Sequence, residues 1–226
     1  MAVPQHQLVF TEEQYLDFER NAEARHEYLD GHIYLMAGES DEHGDISANL
    51  AGLLYAQLKG TPCRSRIKDT KVRSGPFPFL KRNKKGLYSY PDLLVICGEP
   101  RHLDEHRDVI INPKVIIEVL SDSTEGFDRK EKFERYRQWN PTLTDYVLVS
   151  QDQPFIEHFE LRKDGEWVYR SYAGLAQKMP IKSIHCTLPL ADVYDRVKFP
   201  AGEEAKDNLL LIRPQKPAAP KSKKKK

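Results

Sequence analysis

Apolar and polar positions change period along this chain, and each period predicts an element. Thr11-Glu12-Glu13-Gln14 has the form of a capping box, with a hydroxyl at the cap and an amide three residues on. It predicts a short helix that turns Tyr15 and Phe18 inward. In HEYLDGHIYLMAG two alternating runs flank Asp30-Gly31, a dipeptide suited to a tight turn, so residues 26–37 read as two antiparallel strands. Ile46, Leu50, Leu53, Leu54 and Leu58 recur near helical period over 42–58, and Gly60 and Pro62 close that helix. CRSRIKDTKVR (63–73) alternates and reads as a strand, and residues 75–86 as a basic loop. LLVIC (93–97) and KVIIEVL (114–120) are continuous and β-branched, the pattern of central strands covered on both faces. FDRKEKFERYRQW (127–139) is amphipathic and helical, with Pro141 just beyond, and DYVLVSQ (145–151) is another buried strand. A hairpin turns at Lys163-Asp164-Gly165, and a last strand and short helix end near Val197. No repeat interrupts this order, which predicts an α/β (α+β) domain with a mixed, partly parallel sheet flanked by helices and additional β-hairpins. The boundary falls near residue 200, leaving 201–226 as a basic, Lys/Pro-rich disordered tail.

Charge changes this picture only at the end of the chain. The net charge is +1, but residues 214–226 hold six lysines and no acid. Removing those six from the net +1 leaves the body at −5. An acidic body does not hold nucleic acid by bulk electrostatics. The tail suits either non-specific attraction to phosphates or a solvated end. Cys63, Cys97 and Cys186 are far apart and form no C-x-x-C pair, which predicts three free thiols rather than a disulfide framework or zinc site. No apolar run approaches the length of a membrane span and no signal-like segment opens the chain, so a cytoplasmic location is expected.

Two carboxylates stand out by position. Asp92 follows Pro91 at the mouth of LLVIC, and Glu118 lies inside VIIEVL. An ionised carboxylate inside a buried strand costs several kcal/mol unless it is paired or bound to a metal. Alternation puts Ile116, Glu118 and Leu120 on one face. If the two strands are neighbours, Asp92 and Glu118 converge, and with a backbone carbonyl they form a hard oxygen site suited to magnesium. A Pro-Asp strand entrance, and a Glu118 that merely pairs with an arginine, are the plainer alternatives.

Glu27-Tyr28-Leu29-Asp30-Gly31, His43, Tyr90-Pro91-Asp92, Glu118-Val119-Leu120-Ser121, Ser123-Thr124, Asp128, Lys132, Tyr136 and Asp145-Tyr146-Val147-Leu148-Val149 occur in an order that resembles the Uma family, over roughly residues 11–195. These bacterial proteins are restriction-endonuclease-like. The resemblance implies a PD-(D/E)XK core, magnesium- or manganese-dependent cleavage of DNA, and by analogy a homodimer. It assigns Pro91-Asp92 as the "PD", Glu118 as the acidic residue and the Val119 carbonyl as a further metal ligand. Leu120 stands where the parent motif has lysine, a residue that offsets charge developing at the attacked phosphate. The family resemblance transfers that role to Lys132. Asp128, Lys132 and Tyr136 recur at i, i+4 and i+8, so the plainer reading of Lys132 is an exposed ion pair with Asp128.

Glu27 is a further acidic candidate, as an extra ligand of the kind related nucleases take from an early element; an exposed carboxylate is its alternative. His43 opens the long helix and suits a proton carrier, a phosphate contact or a polar helix start. Lys84 and Lys85, in the basic cluster 81–85, are candidate phosphate contacts or solvated loop residues. Ser121, Ser123 and Thr124 read as caps of the helix at 127. Two functions compete: a metal-dependent endonuclease, and a catalytically inactive nuclease-fold module that binds nucleic acid or a protein.

Overall fold

The computed structural model describes residues 9–80 and 82–199. The tail at 201–226 and Lys81 lie outside the described residues. Thr11 makes the capping box with Gln14 and starts α1 (Glu12–Asn21). This helix buries Glu12, Tyr15, Leu16 and Glu19, and Phe18 is left 43% exposed. The expectation that Phe18 turns inward is therefore corrected. The inward stripe instead accepts two glutamates, because each finds polar partners: the buried Arg73 and Tyr88 for Glu12, the partly buried His26 and the buried Tyr90 for Glu19.

Asp30 and Gly31, with φ of 47° and 96°, turn β1 (His26–Leu29) into β2 (His32–Leu35). Both turn residues need φ > 0, and a side chain at Gly31 would collide with Val9. Ser40 caps α2 (Asp41–Leu58), which buries Ile46, Leu50, Leu54 and Leu58. The stretch 63–73 is two strands rather than one: β3 (Cys63–Ile67) and β4 (Lys71–Ser74), which join different sheets. Alternation alone does not show such a break, because both pieces keep period two. Next come β5 (Leu87–Ser89), β6 (Leu93–Cys97), β7 (Val109–Ile110) and β8 (Val115–Leu120). The predicted helix at 127–139 is composite: α3 (Glu125–Phe127), a π-helical turn over Asp128–Lys132, and α4 (Phe133–Trp139). Then follow β9 (Asp145–Ser150), the hairpin β10 (Phe155–Leu161) and β11 (Trp167–Ala173), the small hairpin β12 (Lys178–Ile181) and β13 (Cys186–Pro189), and α5 (Leu190–Val193).

The main sheet has the order β11-β10-β9-β8-β6-β3, with β8 and β9 parallel and the other neighbours antiparallel. A second sheet runs β2-β1-β5-β4-β7. One face of the main sheet (Leu93, Val95, Ile117, Val119, Val147, Val149) packs under α2, the small hairpin and α5. The other (Leu94, Ile96, Ile116, Leu120, Leu148) packs against Val72 and Leu87 of the second sheet and against Phe133 and Tyr136 of α4. Burial on both faces explains why β6, β8 and β9 read as unbroken apolar runs.

Two expectations fail. Cys63 and Cys97 face each other across β3 and β6, with Cα atoms 3.9 Å apart, and are joined in a disulfide, so only the buried Cys186 is a free thiol. A separation of 34 residues hid this pairing, which the antiparallel register creates. Ser121, Ser123 and Thr124 bond to one another, and none of their hydroxyls caps α3. Among the described residues no helix is long and apolar enough to cross a membrane.

Candidate active site

The register of β6 on β8 brings the two singled-out carboxylates together. Leu93 pairs with Ile117 and Leu94 with Ile116, so one step before β6 Asp92 stands opposite Glu118, on the same face. The Asp92 N–H donates to Glu118 Oε2 over 3.4 Å. Asp92 Oδ2 accepts the Val119 N–H at 2.7 Å. The N–H and C=O of one strand residue face the same neighbour, so the Val119 carbonyl also looks toward Asp92. Continued one step further, the register would set Pro91 opposite Val119, and proline has no N–H to give that carbonyl. The Pro-Asp pair thus ends the ladder of β6 on β8 at the point where the two carboxylates meet.

Glu118 is 3% exposed. The Tyr136 hydroxyl donates to its Oε1 at 3.2 Å and meets Ser89 Oγ at 2.7 Å. Burial pushes the Glu118 carboxyl well above the usual carboxylate range, against the pull of Lys132 and with the repulsion of Asp128, Asp92 and Glu27. Burial and Glu118 likewise push the Tyr136 phenol up.

Lys132 is buried and aims at this group: its Nζ lies 3.4 Å from Glu118 Oε1, 3.3 Å from Glu27 Oε1 and 2.9 Å from Asp128 Oδ1. Burial works to lower the ammonium, but Glu118, Glu27 and Asp128 outweigh it and hold Lys132 well above its ordinary value. The exposed ion pair considered for Asp128 and Lys132 is therefore corrected, since both are buried. The π-turn explains how three residues at i, i+4 and i+8 stay on one line. An α-helix overshoots by about 40° every four residues, and a single wider turn takes up that drift.

Glu27 comes from the second sheet. Its Oε1 accepts the Tyr90 N–H at 3.3 Å, just where the chain crosses through Pro91 into β6. His43 sits in the first turn of α2, held by the Ser40 cap, and its Nε2 donates to Asp92 Oδ1 at 2.7 Å. Glu39 Oε2 lies 3.8 Å from the same nitrogen and pairs with Lys68, whose N–H donates to the Asp92 carbonyl at 3.2 Å. The pattern along the chain pointed to neither Glu39, Lys68 nor Ser89; only the second shared position of Tyr136 with Lys132 hinted at this shell. Lys84 and Lys85 are not brought here: they lie at the opposite end of β5 from Tyr90 and Asp92, where Lys84 gives its carbonyl to Tyr28 and Asn83 holds the Lys85 main chain. Their nearness to Asp92 in sequence misleads because β5 runs between as an extended strand.

Four carboxylates (Glu27, Asp92, Glu118, Asp128) thus face one ammonium and one imidazole. Among the described residues no three His, Cys, Asp or Glu side chains are arranged to hold a metal ion by themselves. The donor set fits an ion of the magnesium kind, which takes one or two carboxylates and keeps several waters, and does not fit one that needs three protein side chains.

The family model described as "Uma2: Putative restriction endonuclease" matches residues 12–190. "Uncharacterized protein slr1290" of Synechocystis is 34% identical over 187 residues, which are 83% of this chain and 92% of that protein. "Uncharacterized protein sll1609" of the same organism is 31% identical over 166 residues, covering 74% of this chain and 89% of that protein. A solved structure from Anabaena variabilis, described as "a putative nuclease belonging to DUF820", superposes with a TM-score of 0.65 at 14% identity, covering 84% of this chain and 99% of that one. At that identity the likeness concerns the fold alone.

Proposed function

Because this chain belongs to the Uma2 family, we propose that it is a metal-dependent endonuclease that hydrolyses phosphodiester bonds of DNA. The observation that carries this reading is the position of Lys132, whose Nζ lies 3.4 Å from Glu118 although Leu120 occupies the motif's usual lysine position. Asp92, Glu118 and the Val119 carbonyl would hold magnesium or manganese. Such an ion, when bound, polarises the phosphoryl group and makes water more acidic. Water attacks phosphorus in line and one phosphorus–oxygen bond of the backbone breaks. The Lys132 ammonium offsets the negative charge that develops on the attacked phosphate. Glu27 and Asp128 hold that ammonium in place, and Tyr136 orients Glu118. His43 steadies Asp92 and is poised to meet a phosphate oxygen. Two such sites in a homodimer would cut both strands.

The competing reading, an inactive module that binds nucleic acid or protein, rests on Leu120, on the acidic body and on the lack of a separate DNA-recognition domain; a cation delivered from the π-turn weighs against the first of these. Incubation with supercoiled plasmid in magnesium or manganese tests the proposal. Nicking or linearisation by the protein, and its loss in Asp92→Ala, Glu118→Ala and Lys132→Ala, are expected. Cleavage that survives the first two substitutions would sink the site, and no cleavage of any nucleic acid together with no metal binding by calorimetry would favour the inactive module.

A further inference from the structure

We propose that the edge strand β3 is the surface along which this protein tracks a nucleic-acid backbone, with Arg64 and Arg66 holding successive phosphates next to the cleaved bond. The inference rests on the nuclease reading above and names the residues that bring substrate to that site. β3 is the outermost strand of the main sheet, so among the described residues its far side pairs with no other strand. Arg64 stands opposite Ile96 and Arg66 opposite Leu94, and Leu94 in turn stands opposite Ile116. Directly opposed residues share a face, so both arginines project from the face that carries Asp92 and Glu118. The next step of the same alternation is Lys68, whose N–H donates to the Asp92 carbonyl at 3.2 Å and whose ammonium pairs with Glu39. Three cations at alternate positions therefore form one row that ends at the candidate active site. Alternate residues of a strand repeat every ~6.8 Å, the scale on which phosphates follow one another along one nucleic-acid strand.

Two further features suit this row to phosphate rather than to a structural role. Arg64 and Arg66 are exposed, and among the described residues neither side chain has an ion pair, hydrogen bond or ring contact. Arg20, Arg73, Arg129, Arg135 and Arg170 are all spent on carboxylates of this chain. A free guanidinium is a planar fork that matches a phosphate with two parallel hydrogen bonds. The strand that carries the pair is also fixed at both ends, by the Cys63–Cys97 bond and by the Lys68 contact with Asp92. A body of net charge −5 offers DNA no general attraction, so a local cationic row must supply the contact.

The test is fluorescence anisotropy of a short labelled DNA duplex with the full chain in calcium, so that binding is read without cleavage, across a salt series. The variants are Arg64→Glu/Arg66→Glu, the milder Arg64→Gln/Arg66→Gln, and the control Lys84→Glu/Lys85→Glu, each checked for unchanged thermal melting. Each phosphate contact contributes about 0.9 to the slope of log affinity against log salt, so losing two is expected to flatten the slope by roughly 2. The control should bind as the parent does. If the parent binds and the arginine variants match it in affinity and slope, or if the control loses as much, β3 is not the tracking surface while the nuclease reading stands. If the parent binds no DNA, β3 is not the tracking surface, and the plasmid assay decides the nuclease reading by itself.

Discussion

Glu118 should be worth more to the protein as glutamine when stability is measured, and worth nothing as glutamine when activity is measured. Its carboxylate is 3% exposed and shares its surroundings with Asp92, Glu27 and Asp128. Among the described residues the Lys132 ammonium at 3.4 Å, the Tyr136 hydroxyl at 3.2 Å and the Asp92 N–H at 3.4 Å favour its charge. Burial dominates, so the folded pKa lies above the unfolded one. For an acid this means that the folded state binds the extra proton, and stability falls as pH rises from the unfolded pKa through the folded one. Each unit between the two costs about 1.4 kcal/mol at pH above both. Glutamine keeps the shape, and its single amide oxygen can accept from either the Tyr136 hydroxyl or the Asp92 N–H, not from both. Lys132 loses one anion but retains Glu27 and Asp128, so the relief outweighs the lost attraction. Relief of that cost is worth about 1.4 kcal/mol for each unit by which burial raises the carboxyl, and for a domain of this size each kcal/mol raises the melting temperature by roughly 2–4 °C. The assay is thermal unfolding of parent and Glu118→Gln at neutral pH and near pH 4.5, each with and without magnesium. The variant should melt higher at neutral pH and the gap should close in acid. Magnesium at a hundredfold excess over its dissociation constant should raise the parent by about 2.7 kcal/mol and leave the variant unmoved. A variant that melts lower than the parent at neutral pH, or an equal magnesium response in both, would refute the reasoning.

Lys132→Met should cost about 3–5 kcal/mol in urea unfolding, because it strands Glu27, Glu118 and Asp128 without their shared cation. An unchanged midpoint would show that the carboxylates are already neutral. Glu12→Ala should be as costly, since it leaves the fully buried Arg73 guanidinium without its two carboxylate contacts at 2.6 and 3.0 Å. Replacing both partners by apolar residues should recover most of the loss in a double-mutant cycle. Arg20 and Lys71 hold Asp108 down to about 2 although partial burial works to raise it. A depressed acid contributes stability above its unfolded pKa of 3.8 and loses it as pH falls through the folded value. Asp108→Asn should therefore melt lower than the parent at neutral pH, by about 1 kcal/mol after discounting for solvent screening, with the gap vanishing near pH 2.

What the chain determined by itself was mostly local or periodic. The capping box at Thr11, the Asp30-Gly31 turn and the apolar runs of β6, β8 and β9 are written in neighbouring residues, because hydrogen bonding within a turn and the alternation of side chains depend only on sequence spacing. Asp92 and Glu118 were legible for the same reason: a carboxylate in an apolar strand contradicts its surroundings. What joins them was decided by register, since a shift of one residue in β6 on β8 would turn Asp92 to the other face. Tertiary structure also settled what periodicity misread. It split 63–73 between two sheets, bonded Cys63 to Cys97 across antiparallel strands, turned Phe18 out in favour of glutamates with buried partners, and set β5 between Lys85 and Asp92. Above all it placed Lys132. A helical face can be counted along the chain, but whether its ammonium points at Glu118 or at solvent depends on a π-turn and on a glutamate delivered from another sheet. Neither has a signature in spacing, because both arise from contacts between residues far apart in the chain.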